Sequence, residues 1–272
     1  MDFRNQVAVI TGGSSGLGLE LARRLRTAGA KVMIIARDPA KLEAVRAELA
    51  ARPGGPLAAL SCDVSDPAAV EAAFKTITTE LGPPDVLFLS AGLLSENPAA
   101  REDLATYRRL MDTNYFGVLN CVKAALPYFT PRRAGRIVVV SSMAGLMGVY
   151  GYTAYCSTKF ALVGLCETLR QELKLDGISV HLALPPEFAS PMVEALNQYR
   201  SPENRFLVQT AQVLTAEAVA DAIFAGLDRG AFRIIPGFQS RMLDRLNRWV
   251  PALGRVITDY QLRRCRRQMQ KG

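Results

Sequence analysis

The segment VAVITGGSSGLGLELARRL, residues 7–25, decides the fold. It continues an apolar strand pattern that starts at residue 6, and it passes through a glycine-rich turn into a helical pattern of apolar residues. Gly12, Gly16 and Gly18 in this turn allow a tight backbone path and a close approach to a pyrophosphate, whose charge the helix N-terminus stabilises. The order strand, glycine turn, helix therefore predicts a dinucleotide-binding α/β domain.

The same alternation of strand and helix runs through most of the chain. We predict a parallel strand at each of seven short β-rich runs: QVAVI, KVMII, LAALS, DVLFLS, RIVVVS, ISVHLAL and FRIIP. Amphipathic segments of crossover-helix length separate them at residues 17–28, 39–51, 67–81, 103–129, 155–175 and 216–227. Because no composition break occurs before about residue 236, we predict a single domain, residues 1–236, with a Rossmann-like, doubly wound sheet of seven parallel strands. A C-terminal extension follows at residues 237–272.

Composition predicts a reducing, cytoplasmic setting. The chain has 272 residues, 49% of them hydrophobic, which is enough for a large core. Its five cysteines are an odd number without CxxC spacing, and no signal-peptide pattern precedes residue 6. No apolar run reaches about 18 residues, so we expect no membrane-spanning helix. The lone His181 lies in an apolar alternation, and we therefore expect a packed histidine and no metal site.

The positive charge of the chain is concentrated at its end. Residues 241–272 hold nine Lys or Arg and two Asp, against a net charge of +8 for the whole chain. Met242, Leu246, Trp249 and Leu253 recur there near helical spacing, so the extension resembles a basic amphipathic helix that binds an anionic membrane peripherally, here on its cytoplasmic face. Packing on a partner subunit and a disordered, solvated tail are the alternatives. Nucleic acid is disfavoured, because the charge is not spread over a recognised binding fold.

The tip of the second predicted strand indicates which dinucleotide is bound. The strand ends in MIIARDPAKL, which places Arg37 at the tip. An acidic residue there would hold a ribose 2′-hydroxyl, whereas a guanidinium suits a 2′-phosphate. With Ser14 as a second donor from the glycine turn, NADPH is favoured. The alternative is a solvated surface arginine beside Asp38.

A tyrosine and a lysine supply the candidate chemistry. Tyr155 and Lys159 are four residues apart in GYTAYCSTKFALVGL, so they share one helix face. A tyrosine has a pKa near ~10, and a neighbouring ammonium stabilises its phenolate. Ser142 ends the strand RIVVVSS at the edge of the sheet where a carbonyl could be held. Asn114 is a polar residue within an apolar helical pattern, and it therefore needs a partner or a water.

These residues resemble the short-chain dehydrogenase/reductase family over about residues 5–236. The motifs that carry the resemblance are TGGSSGLG, Asp63-Val64, Ser90-Ala91-Gly92, Asn114, Ser142, YCSTK and PPEFAS. The resemblance implies that Tyr155 donates a proton to a substrate carbonyl oxygen that Ser142 orients, while NADPH delivers hydride to the carbon. It implies that Lys159 binds the nicotinamide ribose and lowers the pKa of Tyr155. Asn114 would hold a water that links Lys159 to solvent.

The resemblance also implies further cofactor contacts. Asp63 and Val64 would flank the adenine, SAG at residues 90–92 would line the cofactor floor, and residues 185–190 would run along the nicotinamide amide. The complete predicted cofactor set is Gly12, Ser14, Ser15, Gly16, Leu17, Gly18, Arg37, Lys41, Asp63, Val64, Ser90, Ala91, Gly92, Tyr155, Lys159, Pro185, Phe188 and Ser190. Two positions depart from the family pattern. Ser90 replaces an asparagine, so a side-chain bond that stabilises the sheet is expected to be lost, and Pro186 replaces a glycine and stiffens its loop.

One branch of the family, the 3-ketodihydrosphingosine reductases, resembles this sequence in further stretches. They are GGSSGLG, IARDPAKL, VSSMAGLMGVYGYTAYCSTKFAL, ALPPEFASP and LRRCRRQMQK. The reaction implied is NADPH-dependent reduction of a long-chain amino ketone to sphinganine. The alternatives are reduction of another lipophilic carbonyl, such as a 3-ketoacyl thioester, a retinoid or a steroid, and a non-catalytic NADP-binding scaffold. The family resemblance also implies a homodimer or homotetramer formed by the segments at 103–129 and 155–175.

A lid over the substrate is predicted at about residues 187–209. Met192, Leu196 and Tyr199 recur at helical spacing, and this apolar stripe would either cover an acyl chain or pack the lid onto the core. Glu187 is a candidate partner for a substrate ammonium, with an exposed loop carboxylate as the alternative.

Overall fold

Seven parallel strands form the centre of the protein. The computed structural model describes residues 2–209 and 213–270, so residues 1, 210–212, 271 and 272 of the predicted units lie outside the described residues. The strands are β1 (Val7–Thr11), β2 (Lys31–Ala36), β3 (Leu57–Ser61), β4 (Val86–Leu89), β5 (Gly135–Val140), β6 (Ile178–Ala183) and β7 (Arg233–Ile234), in the spatial order β3-β2-β1-β4-β5-β6-β7. The prediction of a doubly wound, seven-stranded parallel sheet is confirmed.

Helices cover both faces of this sheet. They are α1 (Gly16–Thr27), α2 (Pro39–Ala50), α3 (Pro67–Glu80), α4 (Leu104–Met111), α5 (Gly117–Phe129), α6 (Thr153–Lys174), α7 (Pro191–Asn197), α8 (Pro202–Val208), α9 (Ala216–Asp228), α10 (Phe238–Trp249) and α11 (Pro251–Met269). The predicted helix at 103–129 is correct in extent, but a π-helical segment, Asp112–Phe116, lies between α4 and α5. Such segments are common at functional sites, and this one contains Asn114.

The sheet creates a crevice at the carboxyl end of β1. The chain passes from β1 outward to β2 and β3, then returns to place β4 on the other side of β1, with Thr11 in register with both Ile35 and Leu89. Connections leave β1 and β4 in opposite directions at this point, which is where open α/β sheets bind their ligands. All five residues of β1 are buried, because helices cover both faces of the strand.

The helix N-termini differ in how they are capped. Asp38, Asp66 and Asp103 accept hydrogen bonds from first-turn backbone N–H groups of α2, α3 and α4. The residue before α1, Ser15, makes no side-chain capping hydrogen bond within residues 2–209, and the first turn of α1 has no acidic residue. The first turn of α1 therefore keeps backbone donors for an external anion.

The C-terminal extension is helical and packs on the domain. Pro251 begins α11 directly after α10, and α11 lies along the lid helix α8. The alternative of a disordered tail is therefore wrong for residues 238–269. The boundary at residues 236 and 237 stays a prediction. Across the two described ranges, 2–209 and 213–270, no helix combines the length and the apolar character needed to cross a membrane.

Candidate active site

The glycine turn is folded tightly against the loop that follows β4. Gly12 has φ +70°, and a Cβ there would lie 2.9 Å from the Ala91 backbone N. A Cβ on Gly18 would lie 2.2 Å from the Gly12 carbonyl oxygen. By contrast, a Cβ on Gly16 would approach no closer than 3.6 Å, to Ser190 at the start of the lid. Two of these glycines are thus required for chain packing, and the third faces the space between α1 and the lid.

This space fits a dinucleotide. The uncapped N-terminus of α1 presents the backbone of Gly16, Leu17 and Gly18, and Ser14 and Ser15 precede it in the turn. A pyrophosphate is stabilised by backbone N–H groups and by the positive end of a helix dipole. The donor set and the glycine cradle therefore match a nicotinamide dinucleotide, with its pyrophosphate at α1.

Arg37 follows β2 and is exposed, as a residue that binds a phosphate requires. Its neighbour Asp38 is the N-cap of α2 and accepts hydrogen bonds from Ala40 N at 3.0 Å and Lys41 N at 3.1 Å. The Lys41 ammonium lies 3.9 Å from the same carboxylate. The Asp38 carboxylate is thus bound by groups of α2, and the guanidinium of Arg37 is the charged group at the tip of β2.

The Asp63 carboxylate is charged and held in its loop. Burial alone would raise the pKa of Asp63, but hydrogen bonds from Ser65 and the positive charge of Arg37 lower the pKa overall. Ser65 donates to Asp63 through both its backbone N and its hydroxyl, at 3.0 and 2.7 Å. The adjacent Val64 is buried, and its carbonyl accepts a hydrogen bond from Asn120. The predicted adenine contacts Asp63 and Val64 therefore lie in an ordered loop after β3.

Ser90, Ala91 and Gly92 form the floor beside β1. The Ser90 hydroxyl donates to the Thr11 carbonyl at 2.7 Å, and Ala91 N donates to the Thr11 hydroxyl at 3.2 Å. The expected loss of a sheet-stabilising bond at Ser90 is therefore wrong, because the shorter serine side chain still reaches the neighbouring strand. A Cβ on Gly92 would lie 3.3 Å from the Asn114 amide oxygen and 3.8 Å from Lys159 Nζ. The floor thus continues directly into the candidate catalytic residues.

Three polar side chains meet at the carboxyl end of β5. Ser142 directly follows the strand, and Tyr155 and Lys159 lie in the first turns of α6. A hydrogen bond joins Ser142 to Tyr155. Lys159 Nζ lies 5.5 Å from the centroid of the Tyr155 ring and donates to the Val140 carbonyl at 3.1 Å. The structure therefore brings the predicted proton-donor pair and the serine into one site.

Asn114 is completely buried and bridges the loop after β4 and the helix α6. Its amide oxygen accepts from Leu93 N at 2.7 Å, and its amide nitrogen donates to the Leu93 carbonyl at 2.9 Å and to the Thr158 hydroxyl at 3.0 Å. The prediction that this buried amide needs partners is confirmed. Thr158 immediately precedes Lys159, so Asn114 fixes the turn of α6 that carries the lysine. Its proposed bound water stays a prediction.

Burial controls the ionisation of Tyr155 and Lys159. Although part of the Tyr155 residue reaches solvent, the protein around its phenol raises the pKa to about 12, and the hydrogen bond with Ser142 acts in the opposite direction. Burial also lowers the pKa of Lys159 to about 8. The sequence predicts that Lys159 lowers the pKa of Tyr155. In this structure burial raises that pKa, and Lys159 donates to a backbone carbonyl.

The depressed pKa of Lys159 has a consequence for stability. Unfolding restores the usual pKa of 10.5. Between about pH 8 and 10 the unfolded chain therefore binds more protons than the folded chain. Lys159 thus makes the free energy of unfolding increase with pH over this range. We expect Lys159→Met to remove this increase, on the order of 1–3 kcal/mol. Urea unfolding of both proteins without cofactor, at pH 7.5 and 9.5, measures it. Tyr155 acts oppositely only above its usual pKa of 10, and equal pH slopes for the two proteins would contradict the assignment.

An apolar wall closes over Tyr155. It consists of Tyr152, Cys156, Ala144 and Leu196, with Leu94 and Val149 packed against them. Only Leu196 of the predicted lid stripe is buried, whereas Met192 and Tyr199 are 40% and 56% exposed. No sequence pattern pointed to Leu94, Val149 and Tyr152, since they lie in loops without periodicity. Their closeness in sequence to Gly92 and Tyr155 was the signal that could have placed them near the site.

The lid is tied down by buried charges. Glu187 pairs with Arg200 at 2.6 Å, so the alternative of an exposed loop carboxylate is wrong. Glu96 accepts from Ser201 N and from the Ser201 hydroxyl, at 2.8 and 2.7 Å. The first contact joins the segments on either side of α7, and the second ties the segment after α7 to the loop that follows β4. No sequence pattern pointed to Glu96 or Arg200, because each partner is distant in sequence.

The segment between β6 and α7 supplies the remaining predicted cofactor residues. The Pro185 carbonyl accepts from Met143 N at 2.9 Å and from the Ser142 hydroxyl at 3.4 Å. Phe188 packs against the core, and Ser190 caps α7 through Val193 N. These residues lie between the glycine turn and Ser142, where the nicotinamide end of the cofactor would reach.

His181 lies on β6, away from these residues. One ring nitrogen is 2.7 Å from the Ala231 carbonyl oxygen, and the other is 3.2 Å from the Ser179 hydroxyl. It is a packed histidine, as predicted. The five cysteines are all free and buried.

Comparison with known proteins agrees with this geometry. The family described as short chain dehydrogenase matches residues 6–201. The chain is 36% identical over 242 residues to a 3-ketodihydrosphingosine reductase of Bos taurus, covering 88% of this chain and 73% of that protein. It is 29% identical to the 3-oxoacyl-[acyl-carrier-protein] reductase of Escherichia coli strain K12, covering 85% of this chain and 94% of that protein.

Solved structures show the same architecture. A short-chain dehydrogenase from Sphingobium yanoikuyae in complex with NADPH superposes with a TM-score of 0.78 at 26% identity, over 91% of this chain and 94% of that chain. The sequence match agrees with three structural features. They are the order of the sheet, the glycine turn at α1, and the meeting of Ser142, Tyr155 and Lys159 at the end of β5. The chain is therefore a nicotinamide-dependent oxidoreductase and belongs to the short-chain dehydrogenase family.

Proposed function

We propose that this protein reduces the 3-keto group of 3-ketodihydrosphingosine to the alcohol of sphinganine, with NADPH as the reductant. The observation that carries the proposal is the apolar wall around Tyr155, which suits a ketone with a long alkyl chain. The 36% identity to a protein named 3-ketodihydrosphingosine reductase supports the choice among lipophilic ketones.

The reduced nicotinamide, when bound, supplies a hydride to the carbonyl carbon. The chain would hold its pyrophosphate at the N-terminus of α1 and its 2′-phosphate at Arg37, with Ser14 as a further donor. Lys159 would donate to the nicotinamide ribose, which requires its ammonium to turn from the Val140 carbonyl. The cofactor therefore completes the surroundings of Lys159 and Tyr155.

The protein's own residues handle the substrate oxygen. The Ser142 hydroxyl donates a hydrogen bond to the carbonyl oxygen and orients it toward Tyr155. The raised pKa of the Tyr155 phenol keeps it protonated at neutral pH, ready to donate its proton to the developing alkoxide. Asn114 holds the turn that carries Lys159 and, through a water on its amide oxygen, would connect the site to solvent for proton resupply.

The charges at the rim also suit an amino ketone. Two carboxylates, those of Glu96 and Glu187, and the guanidinium of Arg200 act electrostatically on the buried Tyr152 hydroxyl. Glu187 acts on Tyr155 as well. A substrate ammonium on the carbon next to the ketone would balance the remaining negative charge. This supports an amino ketone over a neutral steroid or retinoid.

We expect Arg37→Asp to raise the KM for NADPH about 10- to 100-fold and to leave the KM for NADH nearly unchanged, since only NADPH carries the 2′-phosphate. Steady-state rates with each cofactor at saturating ketone measure this. Arg46→Ala is the control, because Arg46 is an exposed arginine on α2 that pairs with Glu43. Equal losses with both cofactors would indicate that Arg37 does not contact the 2′-phosphate.

A second candidate function is reduction of a 3-ketoacyl thioester. The similarity to the bacterial 3-oxoacyl reductase, which this chain covers over 94% of its length, favours this substrate over a retinoid or a steroid. NADPH oxidation with a panel of 3-ketodihydrosphingosine, a 3-ketoacyl thioester, a retinoid and a steroid separates the candidates. Brisk turnover of another ketone with none of 3-ketodihydrosphingosine would overturn the proposal.

We further propose that the enzyme is a cytoplasmic homodimer or homotetramer that meets its lipophilic substrate at a membrane surface. Phe116 and Phe160 support the oligomer, because these apolar side chains are exposed on the helical segments predicted to pair. The free cysteines agree with a reducing compartment. Sedimentation velocity of the full chain tests the oligomeric state.

A further inference from the structure

The helix α10 packs on the protein through polar residues. Ser240 and Asp244 are its buried positions. Asp244 pairs with Arg233 at 3.0 Å and with Arg248 at 3.2 Å. One turn further, the Asn247 amide donates to the Leu146 carbonyl at 3.1 Å. The inner face of α10 is therefore its hydrophilic face.

The helix α11 packs through small or weakly polar residues. Cys265 is its buried position, with its thiol 3.9 Å from the Pro202 carbonyl at the start of α8. Gly254 and Thr258 are partly covered and lie on the same side as Cys265 by helical spacing. The inner face of α11 therefore contains few large apolar groups.

Most of the large apolar residues of both helices face outward. We define the outer apolar face by seven exposed residues: Phe238, Met242, Trp249, Leu253, Val256, Ile257 and Tyr260. Trp249 is 84% exposed. A helix that packs on a soluble domain normally turns its apolar stripe toward the core. Both helices have the reverse arrangement, so their apolar stripes are available to a partner.

The charge around this face identifies the partner. Residues 238–270 contain eight arginines and two aspartates. One of the two, Asp244, already pairs with Arg233 and Arg248. A second copy of the same face would bring arginines against arginines. An anionic lipid surface complements both the apolar residues and the arginines.

We propose that the outer apolar face of α10 and α11 binds the surface of an anionic bilayer. The aromatic and aliphatic side chains enter the interface, and the arginines contact lipid phosphates. The face lies beside the site, because α10 contacts Leu146, four residues after Ser142, and α11 contacts α8 of the lid. This inference rests on the proposed function in one respect only, namely the reason why the protein would bind a membrane. Vesicle binding itself needs no substrate.

Trp249 provides a direct probe, since it is the one tryptophan in the sequence. Its emission is measured in the full chain with vesicles of phosphatidylglycerol and phosphatidylcholine, and with the same vesicles carrying brominated acyl chains. We expect a blue shift on vesicle addition and quenching by the brominated lipid. Pure phosphatidylcholine and high salt are expected to weaken binding at least several-fold, because they remove the attraction to the arginines. Unchanged emission with anionic vesicles would overturn the proposal.

A triple variant, Met242→Ser, Val256→Ser and Ile257→Ser, removes apolar area and keeps the probe. We expect at least 10-fold weaker partitioning into anionic vesicles in co-sedimentation. The control is Val213→Ser, an exposed valine outside α10, α11, the lid and the segments predicted to pair, and it should bind within about twofold of the original protein. Undiminished binding by the triple variant would overturn the proposal. So would Trp249 emission that is already blue-shifted without vesicles and that varies with protein concentration, because a second copy of the protein would then cover the face.

Loss of the proposed reaction would be distinguishable from loss of this surface. NADPH oxidation with a short, water-soluble ketone should be unchanged in the triple variant, since its substitutions lie outside the site. Vesicle binding by a protein that does not turn over 3-ketodihydrosphingosine would reject the substrate and keep the surface.

Discussion

Tyr155→Phe is expected to lower kcat about 10²- to 10⁴-fold, while the dissociation constant of NADPH changes less than about threefold. The substitution removes only the hydroxyl that hydrogen-bonds to Ser142 and that would protonate the substrate oxygen. The ring and its contact with Lys159 are retained. Single-turnover rates and cofactor titration by fluorescence measure the two quantities separately.

Tyr152→Phe is the matched control for this experiment. Tyr152 packs edge-on against Tyr155, with ring centroids 5.6 Å apart, and it is also buried. The tyrosine that Ser142 and Lys159 lie beside, however, is Tyr155. We expect kcat to stay within about fivefold, because no proton transfer passes through Tyr152. Comparable losses in both variants would show that the cluster acts by packing and that Tyr155 is not the proton donor.

Gly18→Ala is expected to weaken NADPH binding at least 10-fold and to destabilise the fold by roughly 1–3 kcal/mol. The added Cβ would lie 2.2 Å from the Gly12 carbonyl oxygen and 2.7 Å from the Gly12 carbonyl carbon. Both are backbone atoms of the turn that would hold the pyrophosphate, so α1 or the turn must shift. Thermal unfolding with and without NADPH measures both effects.

Gly148→Ala is the control, because a Cβ there meets no atom within 4 Å. We expect its stability and cofactor affinity to match the original protein. An unchanged NADPH affinity in Gly18→Ala would contradict the placement of the pyrophosphate at α1.

The sequence predicted the parts of the fold that depend on local pattern. The seven strands are short apolar runs, and the glycine turn and the Tyr155 to Lys159 spacing are set by neighbours within a few residues. Ser142 and Asn114 were identified because a polar residue within or directly after an apolar element needs a reason to be there. The carboxyl ends of parallel strands then bring such residues to one edge of the sheet.

The rest depends on contacts between distant residues. The pair Glu187 and Arg200, and the clamp of Glu96 on Ser201, cannot be read from either partner alone. The π-helical segment around Asn114 was also missed, because its apolar pattern is compatible with a regular helix. Amphipathicity revealed that the extension is helical, but only the packing reveals that its polar side faces the protein.

The most direct test of the proposed reaction is product formation by the purified protein. Incubation with 3-ketodihydrosphingosine and NADPH, in detergent or liposomes, should yield sphinganine by mass spectrometry, with one NADPH consumed per molecule formed. Absence of sphinganine from a preparation that binds NADPH and reduces a 3-ketoacyl thioester would contradict the account.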